Sequence, residues 1–307
     1  MVEAAKWCKL NELPLFVLGG GSNVLISDDG FDGLVLKVAL QGIERNESLV
    51  TAQAGEDWDQ FVKYCVDNKL QGIECLSGIP GLVGGTPVQN VGAYGQEVSE
   101  TIEKVRVFDL KSEEILELTN PDCKFSYRTS IFNSTDKNRF IVLSVTFKLN
   151  PNGKPKIAYK DLQSIFANKR PNLTKVREAI CKIRAEKAML VRQGGLDSQS
   201  AGSFFKNPIV ENEVFAKINA NFGGNVPNFK VDENFVKIPA AWLIENAGFA
   251  KGFQLGNAGI STKHSLAITN RGNATAQEIL QLKSKIQESV KAKFNIELIP
   301  EPVFIGF

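Results

Sequence analysis

The segment from Ser77 to Glu97, which reads SGIPGLVGGTPVQNVGAYGQE, constrains the fold most, because it is dense in glycine and has almost no helix or strand periodicity. Glycine adopts positive φ at no steric cost and lets the backbone approach a ligand closely. Successive N–H groups in such a segment form a concave site for anions. Long loops in compact domains are functional or disordered, and apolar residues such as Ile79, Val83 and Val91 argue against disorder. We interpret the segment as a cradle for the diphosphate and ring of a large cofactor.

A second glycine run, Gly19-Gly20-Gly21-Ser22-Asn23, separates two apolar segments that are predicted to be strands, Pro14 to Leu18 and Val24 to Ile26. It is not a P-loop, because no Lys-Ser/Thr pair follows it and no helix pattern opens there. One interpretation is a second phosphate-binding loop, in which Ser22 and Asn23 add side-chain donors. The other is a tight turn made of glycine. The residues alone leave both open.

Bulk properties indicate an ordinary globular protein. The 307 residues are 43% hydrophobic and 23% charged, and this length has room for two domains. A net charge of +2 gives no electrostatic case for binding nucleic acid or an anionic membrane. Five cysteines without CxxC spacing are typical of reduced thiols, which predicts a cytoplasmic protein. No apolar run reaches the roughly 20 residues that a membrane span needs. The chain has a single histidine, His264, which excludes a histidine-rich metal site. We interpret it as a structural or interface histidine rather than a catalytic one.

Periodicity predicts a mixed α+β chain. Glu56 to Asn68 carries apolar residues at helical spacing, and Thr275-x-x-Glu278 is a capping box that opens a long helix. The tail from Ile296 to Phe307 is predicted to be a strand that carries Glu301. The composition changes at Arg192 to Gly202, which predicts the main domain boundary.

Seven motifs occur in the order GGGSN, GIPGLVGGTPVQNVGAYGQE, SYRTSIF, AYKDL, AGSFFKNP, AAWLIENAG and PEPVFIG. In these the chain resembles the UDP-N-acetylenolpyruvoylglucosamine reductases, FAD enzymes that use NADPH to make UDP-N-acetylmuramate for bacterial peptidoglycan. The resemblance implies a two-part FAD-binding region of the vanillyl-alcohol-oxidase (PCMH) type over residues 1–195. A smaller α+β substrate-binding domain would follow over 196–307, and its tail strand, about 298–307, would return to the FAD site.

The resemblance assigns cofactor binding to the two glycine-rich segments. The residues implied are Gly19, Gly20, Gly21, Ser22, Asn23, Gly78, Ile79, Pro80, Gly81, Val83, Gly84, Gly85, Asn90, Gly92, Ala93 and Tyr94. In the family, the flavin carries the redox chemistry, and the protein supplies orientation and electrostatics.

The resemblance also implies three catalytic residues. Hydride addition at C3 of the enolpyruvyl ether pushes negative charge onto C2 and the carboxylate, so the site needs positive charge and a proton donor. Arg128 in SYRTSIF would hold the carboxylate, since a planar guanidinium binds a carboxylate through two hydrogen bonds. Ser203 in AGSFF would protonate C2, and Glu301 would complete the environment of the intermediate.

Substrate contacts are implied at five positions: Tyr127, Tyr159, Lys206, Asn207 and Lys251. Tyr159 in AYKDL matches the tyrosine that closes over the substrate diphosphate in the subgroup with a mobile tyrosine loop. Family members commonly begin with a further strand and loop, so the first FAD subdomain is expected to be truncated. They also commonly read Leu-Glu-Pro-Glu-Val-Arg near the tail, where this chain has Leu298 to Val303 as LIPEPV.

Two alternative functions remain open beside a monomeric reductase. One is an oxidase of the same FAD fold that uses oxygen, although no histidine suits covalent flavin attachment. The other is a nucleotide-binding protein without turnover.

Overall fold

The structure is a computed structural model, which describes residues 1–167, 169–190, 195 and 197–307. The chain divides into two compact units. The first consists of Met1–Gly21 and Asp32–Glu186, and the second of Ser22–Phe31 and Lys187–Phe307. The domain boundary is predicted between residues 195 and 196. Residues 191–194 and 196 lie outside the described residues.

The described residues contain both helices and strands, as the mixed pattern predicts. The helices are α1 (Val2–Leu10), α2 (Trp58–Asp67), α3 (Lys160–Ile165), α4 (Leu173–Glu186), α5 (Asn212–Asn221), α6 (Ala240–Asn246) and α7 (Ala276–Phe294). The strands are β1 (Leu15–Leu18), β2 (Val24–Ile26), β3 (Leu34–Lys37), β4 (Ile43–Asn46), β5 (Leu49–Gln53), β6 (Leu70–Gln71), β7 (Gly92–Ala93), β8 (Gln96–Glu97), β9 (Ile102–Asp109), β10 (Glu114–Thr119), β11 (Phe140–Lys148), β12 (Asn150–Pro151), β13 (Ile209–Glu211), β14 (Phe229–Lys230), β15 (Phe235–Lys237), β16 (Gln254–Leu255), β17 (Ala258–Ile260), β18 (Ile268–Asn270) and β19 (Val303–Ile305).

An antiparallel sheet in the order β10-β9-β11-β5-β4 forms the centre of the first unit. β11 is buried over nearly its whole length, as expected of a strand paired on both sides. Helix α2 packs its apolar face on this sheet, with Trp58 and Phe61 within 6 Å of the Phe147 ring. Asp57 caps the helix by accepting the Gln60 N–H, so the helix predicted here is confirmed.

Helix α7 forms the core of the second unit. The predicted capping box is present, because Thr275 accepts the Glu278 N–H and the Glu278 carboxylate accepts the Thr275 N–H at 2.9 Å. Residues at helical spacing on one face, Ile279, Leu282 and Val290, are buried against β17 and β18. Two small antiparallel sheets, β13-β15-β14 and β16-β17-β18, complete the unit.

The tail strand is shorter than predicted. β19 contains only Val303–Ile305 and pairs in parallel with β2, the strand after the first glycine run. Glu301 lies before it, between Pro300 and Pro302. Because proline has no N–H to donate to a ladder, these two residues interrupt the strand. The pairing of β2 with β19 explains why the early segment Ser22–Phe31 belongs to the second unit.

None of the helices described is both long and apolar enough to cross a membrane. All five cysteines are free thiols. Burial raises the pKa of Cys123 to about 12, so this thiol stays protonated at neutral pH.

Candidate cofactor and active site

The glycine-rich segment of the first unit is ordered although it contains only short elements. It has one 3-10 turn at Val83–Gly85 and the two-residue strands β7 and β8. Backbone hydrogen bonds fix it to the chain around the start of α2. The Trp58 N–H donates to the Gly81 carbonyl at 3.0 Å, and the Gly84 N–H donates to the Ala54 carbonyl at 2.9 Å. These bonds support the prediction of an ordered loop.

Two glycines are required by close backbone packing. A Cβ built at Gly84 would lie 2.6 Å from the Cβ of Ala54. A Cβ at Gly20 would lie 2.9 Å from the Cα of Gly81, so the first glycine run touches the second. Distances under 3.0 Å are not reached by real side chains without movement of the backbone. The two glycine segments that the sequence singles out therefore meet within the first unit.

Other glycines border open space. Within the part of the chain that the structure describes, no atom beyond the adjacent residues lies within 4 Å of a Cβ built at Gly19, Gly21 or Gly85. Positive φ at Gly21, Gly78 and Gly81 turns the backbone in ways that favour glycine. A backbone-lined cradle of this kind suits a bulky dinucleotide with an anionic diphosphate, and these residues fit FAD.

A charged network holds both peptide groups of Gly78. The Asp59 carboxylate accepts the Gly78 N–H, and Arg177 binds the same carboxylate through two nitrogens at 2.5 and 2.7 Å. From helix α4, the Arg184 Nε donates to the Gly78 carbonyl at 2.9 Å. Burial would raise the pKa of Asp59, but hydrogen bonds from Arg177 and Gly78 outweigh burial and lower it below 3.8. The Asp59 carboxylate therefore stays charged at neutral pH.

Sequence reasoning missed this network. Arg184 is only 6% exposed and lies on the buried face of α4 with Val176, Ile180 and Ile183. The sequence does contain one indication of a buried charge. Arg184 lies one helical turn after Ile180, on a face of α4 that is otherwise apolar. It shows that a charged side chain is buried, but it does not identify the partner.

Arg128 lies beside the glycine-rich segment in a left-handed conformation, with φ at 53°. Its Nη2 donates to the Gly92 carbonyl at 2.5 Å, and its guanidinium lies 5.3 Å from the centre of the Tyr127 ring. A Cβ at Gly92 would lie 3.0 Å from the Arg128 Nη1, so glycine at that position makes room for the guanidinium. The structure thus brings SYRTSIF and the glycine-rich segment together.

Tyr159 also lies beside this segment. It directly precedes α3, and its half-buried ring meets that of Tyr94 edge to face, with the centroids 5.4 Å apart and the planes at 86°. Two residues from separate motifs, one predicted to bind substrate and one predicted to bind cofactor, are therefore in contact.

Ser203 and Glu301 are brought together in the second unit by backbone pairing. The Glu301 N–H donates to the carbonyl of Phe204, the residue after Ser203, at 2.9 Å. The Lys206 N–H donates to the Ile299 carbonyl, also at 2.9 Å. The AGSFFK segment therefore runs antiparallel to the segment that carries Glu301. Arg128 belongs to the first unit.

Asn23 from the first glycine run joins this pairing. Its Nδ2 donates to the Glu301 carbonyl at 3.2 Å, and its own carbonyl accepts the Val303 N–H at 3.0 Å. Three motifs that are far apart in sequence thus converge on Glu301 within the second unit.

The remaining predicted substrate residues have different surroundings. The Asn207 Oδ1 accepts the Ala240 N–H at 2.9 Å, which caps the start of α6 and fixes the amide. Lys206 is held through its backbone, as described above. Lys251 is exposed in the turn between α6 and β16.

The single histidine has a structural contact. The His264 Nδ1 accepts the Leu266 N–H at 3.0 Å, and the Leu266 carbonyl accepts the Phe204 N–H at 2.7 Å. This turn supports the segment that carries Ser203, which agrees with the structural interpretation of His264.

Comparisons with known proteins agree with these observations. Residues 1–119 match a family described as an FAD binding domain, and residues 194–305 match the C-terminal domain of UDP-N-acetylenolpyruvoylglucosamine reductase. The UDP-N-acetylenolpyruvoylglucosamine reductase of Streptomyces coelicolor is 44% identical over 95% of this chain and 79% of its own length. That of Thermobifida fusca is 43% identical over 95% of this chain and 86% of its own length.

Solved structures give the same result. The crystal structure of a UDP-N-acetylenolpyruvylglucosamine reductase from Thermus caldophilus matches with a TM-score of 0.68 and 25% identity, covering 99% of this chain and 90% of that chain. The predicted fold class, an FAD-binding region followed by a smaller α+β domain, is confirmed. The chain belongs to the UDP-N-acetylenolpyruvoylglucosamine reductase family.

Proposed function

We propose that this protein reduces UDP-N-acetylenolpyruvoylglucosamine to UDP-N-acetylmuramate, a peptidoglycan precursor, with FAD as cofactor and NADPH as the source of hydride. The observation that carries the proposal is the antiparallel pairing of the Ser203 segment with the Glu301 segment. It places Glu301 beside Phe204, the residue after Ser203, and family membership gives Ser203 and Glu301 each a role in the reaction.

The two glycine-rich segments would hold FAD. Backbone N–H groups of the run from Gly19 to Asn23 and of the segment from Gly78 to Tyr94 would bind its diphosphate, and the open space at Gly85 would receive part of the cofactor. When bound, FAD would carry the hydride from NADPH to C3 of the enolpyruvyl group.

The protein would stabilise the negative charge that forms on the substrate and supply the proton for C2. Reduction at C3 leaves negative charge on C2 and on the neighbouring carboxylate. The Arg128 guanidinium would hold this carboxylate, stabilising the charge as it develops. Ser203 would donate a proton to C2, and the Glu301 carboxylate would orient and polarise that hydroxyl.

The remaining predicted residues would bind the rest of the substrate. Tyr159, Lys206, Asn207 and Lys251 would contact the uridine diphosphate, where cations and hydrogen-bond donors match phosphate oxygens. Tyr127 would line the enolpyruvyl end beside Arg128. The capping bond from Ala240 leaves the Asn207 amide nitrogen oriented for donation.

We also propose that the protein is a cytoplasmic monomer that binds neither nucleic acid nor membrane. The net charge of +2 and the five free thiols support this proposal.

Purified protein tests the function directly. We expect a yellow protein that oxidises NADPH rapidly only when UDP-N-acetylenolpyruvoylglucosamine is added. Rapid oxygen consumption that does not depend on this substrate would favour the oxidase. A colourless protein that binds UDP-sugars without turnover would favour the nucleotide-binding alternative.

A further inference from the structure

Arg128 occupies a corner of a tight turn at the start of the SYRTSIF motif. The Ser126 N–H donates to the Thr129 carbonyl at 2.9 Å, and the Thr129 N–H donates to the Ser126 carbonyl at 3.1 Å. The φ of Arg128 is 53°, in the left-handed region that favours glycine and costs free energy for a residue with a Cβ. Such a conformation persists only where neighbouring groups hold it.

Asn133, which directly follows the SYRTSIF motif, holds the backbone on the C-terminal side of Arg128. Its Nδ2 donates to the Arg128 carbonyl at 3.1 Å, and its Oδ1 accepts the Ser130 N–H at 2.9 Å. One amide thus binds the backbone groups on both sides of Thr129. Because the direction of the Arg128 carbonyl depends on ψ of Arg128, the first bond restricts this angle. The second bond ties the turn to the 3-10 helix at Ile131–Asn133.

The glycine-rich segment holds the rest of the turn. The Asn90 Nδ2 donates to the Ser126 carbonyl at 3.0 Å, and Asn90 is buried. The Arg128 Nη2 donates to the Gly92 carbonyl at 2.5 Å. The two ends of Arg128 are therefore fixed to different elements, the guanidinium to Gly92 and the backbone carbonyl to Asn133. A backbone rotation at Arg128 would move the guanidinium relative to the cradle.

We propose that Asn133 is a positioning residue for Arg128. By fixing the strained backbone of Arg128, its amide sets where the guanidinium meets the enolpyruvyl carboxylate of the substrate. A misplacement of about 1 Å in a catalytic group lowers a rate on the order of a hundredfold. The guanidinium acts on negative charge that develops during hydride transfer, so its displacement slows that step more than it weakens binding. The proposal rests on the proposed function, which gives Arg128 its role.

The isosteric variant Asn133→Asp tests the proposal, because it removes the donor to the Arg128 carbonyl and keeps an acceptor for the Ser130 N–H. The FAD-loaded protein is reduced anaerobically with NADPH and mixed with saturating UDP-N-acetylenolpyruvoylglucosamine. Flavin reoxidation, followed by stopped-flow absorbance, should slow about tenfold or more. FAD content and the rate of flavin reduction by NADPH should keep their wild-type values, because neither involves the substrate carboxylate.

Two further variants control for the added charge and for general loosening of the unit. Asn133→Ala removes the donor without adding a negative charge, and it should slow reoxidation as well. Asn120→Asp is the matched control, since the Asn120 Nδ2 donates to the Ser99 and Ile102 carbonyls at 2.8 Å in the same unit. It loses hydrogen bonds of the same kind and should reoxidise at the wild-type rate. If Asn133→Asp does not fold, Asn133→Ala takes its place.

A double-mutant cycle shows whether Asn133 acts through Arg128. Arg128→Met has no guanidinium to position, so adding Asn133→Asp to it should cause no further slowing. An equilibrium titration serves if Arg128→Met reoxidises too slowly to measure. It compares UDP-N-acetylmuramate, which carries a carboxylate, with UDP-N-acetylglucosamine, which carries none. Asn133→Asp should weaken binding of the first about threefold, as expected for one impaired hydrogen bond, and leave binding of the second unchanged.

Each outcome decides the proposal. It is wrong if Asn133→Asp reoxidises at the wild-type rate, if Asn133→Ala does not slow reoxidation, or if the slowing is the same with and without the Arg128 guanidinium. It is also wrong if FAD content or reduction by NADPH falls as much as reoxidation does, because Asn133 then supports the cofactor region. In all these cases the proposed function stands. If reduced wild-type holoenzyme is not reoxidised by the substrate, the proposed function fails, and this inference fails with it.

Discussion

Backbone hydrogen bonds hold both the glycine-rich segment of the first unit and the Ser203 segment of the second, but charged side chains support the first as well. Side chains reach into the first: Asp59 and Arg184 bind the two peptide groups of Gly78. Backbone pairing holds the second, where the Glu301 N–H bonds to the Phe204 carbonyl. A side-chain change should therefore deform the cofactor cradle, whereas a change at Glu301 should alter chemistry without moving the chain.

This difference has a physical origin. Buried backbone groups need hydrogen-bond partners, and a segment that forms almost no strand must find them on side chains or on other loops. Glycine leaves room for a cofactor, but it also removes the side chains that would otherwise pack the loop. The charged groups on α2 and α4 replace that packing.

The largest change in unfolding free energy is expected for Gly84→Ala, and Gly85→Ala, at the adjacent glycine, is its control. Gly84→Ala places a methyl group 2.6 Å from the Ala54 Cβ, so the backbone must shift. We expect a loss of about 3 kcal/mol of unfolding free energy, measured by urea denaturation of the FAD-free protein. Among the described residues, the methyl group of Gly85→Ala meets no atom within 4 Å beyond its chain neighbours, so this substitution should leave the unfolding free energy unchanged.

Gly84→Ala and Gly85→Ala also distinguish an effect on packing from an effect on FAD binding. If the space at Gly85 receives FAD, Gly85→Ala should weaken FAD binding about tenfold, as an added methyl group displaces the cofactor. Equal stability losses in the two variants would contradict the description of Gly84 as packed and Gly85 as open. Unchanged FAD affinity in Gly85→Ala would place the cofactor elsewhere.

A smaller effect is expected from Asp59→Asn. The substitution removes the charge that pairs with Arg177 and weakens the acceptor for the Gly78 N–H. We expect a loss of about 2 kcal/mol of unfolding free energy, because the pair is partly buried, and weaker FAD binding through the displaced Gly78. Calorimetric unfolding and FAD titration measure the two effects.

The control for this change lies on the same helix. Asp67 pairs with Lys63 at the surface, where both side chains are 53% exposed. Asp67→Asn should therefore cost less than about 0.5 kcal/mol and leave FAD binding unchanged. If the two variants behave alike, the network does not support the cradle.

The smallest stability effect is expected from Glu301→Gln. Its segment is held by backbone hydrogen bonds, which glutamine retains, so we expect a change below about 0.5 kcal/mol. Turnover should nevertheless fall, because the carboxylate that we propose orients Ser203 is lost. A large loss of stability would show that this side chain supports the fold, and the contrast between the two regions would fail.

The sequence predicted local features better than long-range ones. Helix α2 follows from apolar spacing, and helix α7 from its capping box as well. The glycine-rich segment is predicted to be a loop because it lacks periodicity, and to be ordered because it contains apolar residues. The parallel pairing of β2 with β19 could not be predicted, since nothing local marks the partner of a three-residue strand. The tail strand is shorter than its apolar pattern predicts, because Pro300 and Pro302 interrupt it.

Site residues show the same division. The resemblance predicts candidate catalytic residues that lie in motifs, such as Arg128 and Ser203. Their catalytic roles remain predictions. The residues that shape the site, Asp59 and Arg184, carried no motif, because their importance arises from contacts made only after the chain folds.

Anaerobic stopped-flow absorbance of the flavin tests the central claim most directly. Wild type and Ser203→Ala, both loaded with FAD, are reduced with NADPH and then mixed with UDP-N-acetylenolpyruvoylglucosamine. We predict that wild type bleaches and recovers its colour, while Ser203→Ala bleaches normally and recovers at least about a hundredfold more slowly. Recovery of the variant at the wild-type rate would contradict the assignment of Ser203 as the proton donor.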